Sequence, residues 1–244
     1  IVINEIMFHH QPDLTNTSEQ EGEANSSSMT MLVTMDDNWR YNPTGQDLGS
    51  DWAQSFHMTD DTHWFYGPAP LGFEPDTIPL PIATTFDSPT SNDPYIITYY
   101  FERNFNFSGN VDDFTELELR HLIDDGAVFY LNGTEIHRHN MEGSPGDPVS
   151  ASTLANVVVT ESEFTTVTLP MTGLRKGTNF FNIEVHQSAN TSSDVVMAVE
   201  LKAVDEGDPN PPSPPPPAPP SSGIQFSKNN EEWIEFYNRG TTPV

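Results

Sequence analysis

The segment from Leu117 to His137, Leu-Glu-Leu-Arg-His-Leu-Ile-Asp-Asp-Gly-Ala-Val-Phe-Tyr-Leu-Asn-Gly-Thr-Glu-Ile-His, restricts the possible folds more than any other stretch of the chain. Leu117, Leu119 and His121 alternate with Glu116, Glu118 and Arg120, which is the period of a strand with one wet face. Asp124-Asp125-Gly126 breaks that run, and a second strand begins at Val128 and stops at Asn132-Gly133. Asn-Gly between apolar runs predicts a hairpin, because both central positions of the favoured two-residue turn need positive φ. An antiparallel β-domain follows.

Further short strands are expected at Thr30–Met35, Tyr95–Phe107, Glu116–Leu122, Ala127–Leu131, Thr165–Leu169, Asn179–Gln187 and Val195–Ala203, separated by Gly, Pro, Asn and Asp clusters. No long run at helical period interrupts them, so the expected class is all-β, a two-sheet sandwich or jelly roll. The expected organisation is a strand over 1–10, a polar tether over 11–28, the folded body over 29–205, a proline-rich linker over 206–223 and a last strand over 224–244. Proline donates no ladder hydrogen bond, so the tract around Pro-Pro-Ser-Pro-Pro-Pro-Pro-Ala-Pro-Pro reads as an extended polyproline II spacer of roughly 3 Å per residue. The chain opens on Ile and stops soon after Glu231–Tyr237, and is read as a piece of something longer.

Charge and composition exclude several functions. The formal net charge of -27, from 36 acidic against 9 basic residues, repels nucleic-acid phosphates and anionic lipid. With no cysteine, disulfides, thiolate metal sites and cysteine nucleophiles are ruled out. No apolar run reaches the roughly 20 residues that span a bilayer. There is no Gly-x-Ser-x-Gly elbow and no His-Glu-x-x-His run, and no carboxylate pair for glycoside hydrolysis stands out, so no enzyme activity is expected.

Ile1-Val-Ile-Asn-Glu-Ile-Met and Asn230-Glu-Glu-Trp-Ile-Glu-Phe-Tyr-Asn-Arg-Gly resemble the first two strands of a lamin-tail-like, immunoglobulin-type domain of bacterial surface proteins. Either the body is an insertion in such a domain, or the end strands complete a sheet with neighbouring copies. The body itself is similar to a galactose-binding-like jelly roll in Trp64-Phe-Tyr-Gly-Pro-Ala-Pro-Leu-Gly-Phe73, Tyr99-Tyr-Phe-Glu-Arg-Asn-Phe105, Asp124-Asp-Gly-Ala-Val-Phe-Tyr-Leu-Asn-Gly133, Gly177-Thr-Asn-Phe-Phe-Asn-Ile-Glu-Val-His-Gln187 and Ser192-Ser-Asp194. That resemblance implies a jelly-roll fold in a large secreted protein or beside a glycoside hydrolase, without naming a ligand.

The candidate sites follow. Asp124, Asp125 and Asp194 sit at strand junctions and suit Ca²⁺, a hard ion that takes six to eight oxygens, although turn carboxylates also cap backbone N–H groups. His137 and His139 lie at strand spacing on one face, where two imidazoles can grip a transition metal, although a lone histidine pair on a strand is ordinarily just surface. Trp39, Trp52, Trp64 and Tyr66 lie in loop-rich sequence and offer a stacking platform for polysaccharide, unless the core claims them. Asn16, Asn25, Asn106, Asn132 and Asn190 head Asn-x-Ser/Thr sequons. Ile1, Ile3, Ile6, Trp233, Ile234 and Phe236 are the candidate assembly residues, since an alternating apolar end strand invites pairing with another chain. The expected function is an extracellular structural protein, a unit of a surface filament or multidomain adhesin that self-associates. The alternative is a carbohydrate-binding accessory module of a secreted enzyme or adhesin.

Overall fold

The structure is a computed structural model that describes residues 28–205 except 55, 61, 88–94, 161 and 193. The chain divides into two compact units, Ile1–Asn25 with Asn210–Val244, and Ser26–Pro209. The first of these, with the terminal strands, tether and proline linker expected from the sequence, lies outside the described residues.

The body is all-β, a sandwich of two sheets. Its strands are β1 (Ser28–Val33), β2 (Asn38–Asn42), β3 (Phe65–Pro68), β4 (Leu71–Phe73), β5 (Thr84–Thr85), β6 (Thr98–Phe107), β7 (Glu116–Asp124), β8 (Gly126–Leu131), β9 (Thr134–His139), β10 (Thr165–Pro170), β11 (Gly177–His186) and β12 (Val195–Asp205). One sheet has the order β10-β7-β12-β4-β5, with β1 also paired to β12, and the other has the order β3-β2-β6-β11-β8-β9. The pairings are antiparallel except the short parallel contact of β4 with β5. No helix among the described residues is long and apolar enough to cross a membrane.

The opening motif folds as its pattern requires. Leu117, Leu119, His121 and Ile123 face inward from β7, and Asn132 (φ 53°) with Gly133 (φ 78°) turns β8 into β9. The alternation lapses at Leu122 because the outer face there is also covered, by Val196 and Ala198 with Met35, Ile78, Ile82 and Phe164 packed on them. The main core joins the two sheets through Trp39, Phe101, Phe129, Phe181, Ile183, Leu201 and their neighbours. At Gly72 (φ 144°) an added Cβ would meet the Val195 carbonyl oxygen of the adjacent strand, so glycine alone lets β4 pair there.

Strands β2 to β5 were not expected from the sequence. They are only two to five residues long and are punctuated by Gly67, Pro68, Pro70 and Gly72, so no alternating run marks them.

Strands β1 and β12 run antiparallel with Ser28 opposite Asp205. The two ends of the body therefore leave it side by side.

Candidate functional site

Register alone gathers the carboxylates. Val195 pairs with Phe73 and Val196 pairs with Asp124. Glu74, Asp194 and Asp124 consequently meet at one end of the β12 sheet, each offering an oxygen within 4.8 Å of the others. Asp124 is buried while Glu74 and Asp194 are half-buried, so the cluster opens to solvent on one side. Three carboxylates of this spacing have the hard oxygen donors that a Ca²⁺ ion takes. Asp124 and Asp194, singled out in the sequence, are thus brought together, and Glu74 joins them. Glu74 carried no motif of its own; its role follows only from the pairing of Phe73 with Val195.

Asp125 goes elsewhere. It is 1% exposed, and its Oδ1 and Oδ2 accept the backbone N–H of Val159 at 2.7 Å and Ser188 at 2.8 Å. Its backbone oxygen accepts from Asn140 Nδ2, which also donates to the Val157 carbonyl. Asp125 therefore ties two loops to the junction of β7 and β8, the work of a turn carboxylate rather than of a cation ligand.

The aromatic platform does not assemble. Trp39, Trp52 and Trp64 are 0%, 4% and 5% exposed, whereas Tyr66 is 62% exposed. Trp39 lies in the main core against Phe181, with ring centroids 5.7 Å apart. Trp52 donates its indole N–H to Glu184 at 3.2 Å, and Glu184 also accepts the Tyr130 hydroxyl at 2.7 Å. Trp64 stacks on His57 at 4.5 Å. Trp52 and Trp64 pack with Tyr100 in a separate cluster on the outer face of the β6 sheet, a placement that sequence alone could not separate from exposure.

Under that loop lies a buried polar group. Glu102 accepts Arg40 Nε at 3.1 Å and the backbone N–H of His57 at 2.7 Å, with His57 Nδ1 at 2.9 Å. Burial raises the Glu102 carboxyl above its usual range, against the opposing pull of His57 and Arg40. Beside it a polar cleft of about 220 Å³ is lined by Asp37, Asn38, Arg40, Tyr66, Glu102, Arg103 and Asn104.

Of the sequons, Asn106 and Asn190 are exposed. The Asn132 amide is consumed internally: Nδ2 donates to Gly173 O and to Asn179 Oδ1, both at 2.8 Å, and Oδ1 accepts from Phe180 N. A glycan on that nitrogen would disrupt the turn. Asn16 and Asn25, like Ile1, Ile3, Ile6, Trp233, Ile234 and Phe236, lie outside the described residues.

No family model matches this chain, and no curated protein matches it either. Among solved structures, β-glucuronidase from Ruminococcus gnavus in complex with uronic isofagomine is similar over 74% of this chain and 28% of that chain, at 16% identity and a TM-score of 0.44. The apo form of the same enzyme gives 74% and 29%, again at 16% identity and 0.44. The chain thus spans less than a third of the length of those proteins, and a likeness this distant carries no functional argument.

Proposed function

We propose that this chain is an extracellular structural protein, one unit of a surface filament or multidomain adhesin, in which a galactose-binding-like jelly-roll body is carried between two terminal β segments that pair with neighbouring subunits. The observation that supports this reading is the antiparallel pairing of β1 with β12, which sets Ser28 opposite Asp205. Ser28 and Asp205, the first and last described residues of the body, therefore lie side by side. The 206–223 tract, read from its prolines as polyproline II, is a stiff spacer of about 3.1 Å per residue. Strand pairing then supplies the hydrogen bonds, and alternate apolar side chains supply the specificity. A Ca²⁺ at Glu74, Asp124 and Asp194 would stiffen the β12 end of a body that has no disulfide.

Negative-stain microscopy of the purified full chain tests this reading. Regular filaments or chains of particles are expected, and their loss on Trp233→Asp with Phe236→Asp. Uniform single particles for the unaltered chain would overturn it.

One surface favours the second reading, a carbohydrate-binding accessory module. The exposed Tyr66 ring stands beside a cleft of hydrogen-bonding side chains, the combination that sugar rings use. Affinity electrophoresis through polysaccharide gels, with Tyr66→Ala as the control, distinguishes it: retention lost in the variant supports the module, and no retention removes it.

A further inference from the structure

We propose that His121, His137 and His139 form a binding site for a zinc-type divalent transition-metal ion, which fastens the edge strand β9 to the opposite sheet. The site is independent of the carboxylate cluster and of whether the chain assembles.

One face of β7 points into the sandwich. Leu117, Leu119 and Ile123 on that face join the main apolar core, and His121 stands among them with 1% exposure. A leucine would fill such a position at no polar cost. The imidazole instead brings one N–H and one lone pair into the interior, where buried polar atoms are nearly always satisfied. Neither Nδ1 nor Nε2 of His121 has a hydrogen-bond partner.

The opposite sheet supplies what faces it. His137 and His139 lie on β9, opposite Phe129 and Ala127 of β8, whose side chains belong to the main core. Both histidines therefore project between the sheets, and the Nε2 of His137 is likewise buried without a partner. The His121 ring centroid is 4.6 Å from that of His139 and 6.0 Å from that of His137. Phe129 closes one side, 5.2 Å from the His121 ring and 5.6 Å from that of His137. One nitrogen from each imidazole lies within 4.8 Å of the others. Three nitrogens on one zinc stand about 3.3 Å apart, from a Zn–N distance of about 2.0–2.1 Å. The half-buried rings of β9, at the sheet edge, need only small side-chain rotations to close on the ion.

The donor set selects the ion. Three imidazoles without a carboxylate suit Zn²⁺, Cu²⁺ or Ni²⁺ and disfavour Ca²⁺ and Mg²⁺, which want oxygen. Burial, and then the neighbouring His139 and His137, push His121 down to about 3, and burial lowers His137 and His139 as well. The rings are thereby held in the neutral form that a metal requires. With three protein ligands, water takes the fourth position on the solvent side of β9. Because His121 belongs to one sheet and His137 and His139 to the other, the ion would cross-link the sandwich in a chain that has no cysteine to do so.

The experiment is Zn²⁺ titration of the metal-free full chain by calorimetry, in saturating Ca²⁺ to occupy carboxylates, together with the visible spectrum of the Co²⁺ form. One Zn²⁺ per chain and a tetrahedral Co²⁺ spectrum are expected, with a melting temperature that rises on adding Zn²⁺. His121→Leu should weaken that binding at least about tenfold and abolish the Zn²⁺-dependent rise. Its melting temperature in EDTA should equal or exceed that of the unaltered chain, since leucine suits the apolar face. The His137→Ala/His139→Ala pair alters half-buried edge positions and gives the same loss of binding if His121→Leu fails to fold. Absence of Zn²⁺ binding in the unaltered chain, or unchanged affinity in the variants, would overturn the proposal.

Discussion

Asp125→Asn is the most informative single substitution in the body. The carboxylate is buried and accepts two backbone N–H groups at 2.7 and 2.8 Å, from Val159 and Ser188. A charge-assisted hydrogen bond of this kind contributes about 1.5–3 kcal/mol. The carboxamide keeps one acceptor oxygen but turns its NH₂ toward the second N–H, so one bond is lost and two donors are opposed. The expected loss is about 2–4 kcal/mol, and Asp125→Ala, which loses both bonds, should cost more. For a domain of about 150–250 residues each kcal/mol moves Tm by about 2–4 °C, so a drop of roughly 4–16 °C is expected. Thermal melts followed by circular dichroism, run in parallel with millimolar Ca²⁺ and with EDTA, measure it. The drop should be the same in both, because Asp125 ties loops and lies outside the cluster of Glu74, Asp124 and Asp194. A drop seen only with Ca²⁺, or a stability loss below about 0.5 kcal/mol, would show that Asp125 does not tie these loops.

Other expectations follow from the same geometry. Millimolar Ca²⁺ should raise Tm relative to EDTA, and Glu74→Gln with Asp194→Asn should remove that difference; identical melts for the unaltered chain would leave the carboxylate cluster without an ion. The exposed Asp60 carboxylate accepts the backbone N–H groups of His63, Trp64 and Thr62, which hold its pKa well below the ordinary carboxylate range. Its contribution to loop order is present above that ordinary range and lost only as pH falls through the depressed value. A carboxyl-carbon NMR titration with an ordinary midpoint would contradict this. Trp39→Ala should cost about 3–5 kcal/mol as a core truncation, whereas Tyr66→Ala should stay within about 0.5 kcal/mol, both read from denaturant midpoints.

The long strands were legible because alternation and turn chemistry agreed. Glu116 to His121 alternates, Asn132-Gly133 marks the hairpin of β8 with β9, and β6, β11 and β12 fall within a few residues of their expected limits. The region from Asn38 to Phe73 was not legible in the same way. Its strands are too short to show a period, and its tryptophans look alike in sequence whether they stack on a ligand or on Phe181, Tyr100 and His57. The sites divided on similar lines. Asp124 and Asp194 could be singled out as carboxylates beside strand junctions, but Glu74 reaches them only through the register of β4 on β12. His137 and His139 announced a shared face by their spacing. His121 looked like one more inward position of β7, and only the approach of the two sheets brings it to them.

Sedimentation velocity of the full chain over a concentration series decides whether subunits join through the terminal β segments. Oligomers that grow with concentration are expected, and a collapse to monomer when Ile234→Pro removes a backbone donor from the last segment. A single monomeric species for the unaltered chain across the whole series, unchanged by Ile234→Pro, would contradict such joining.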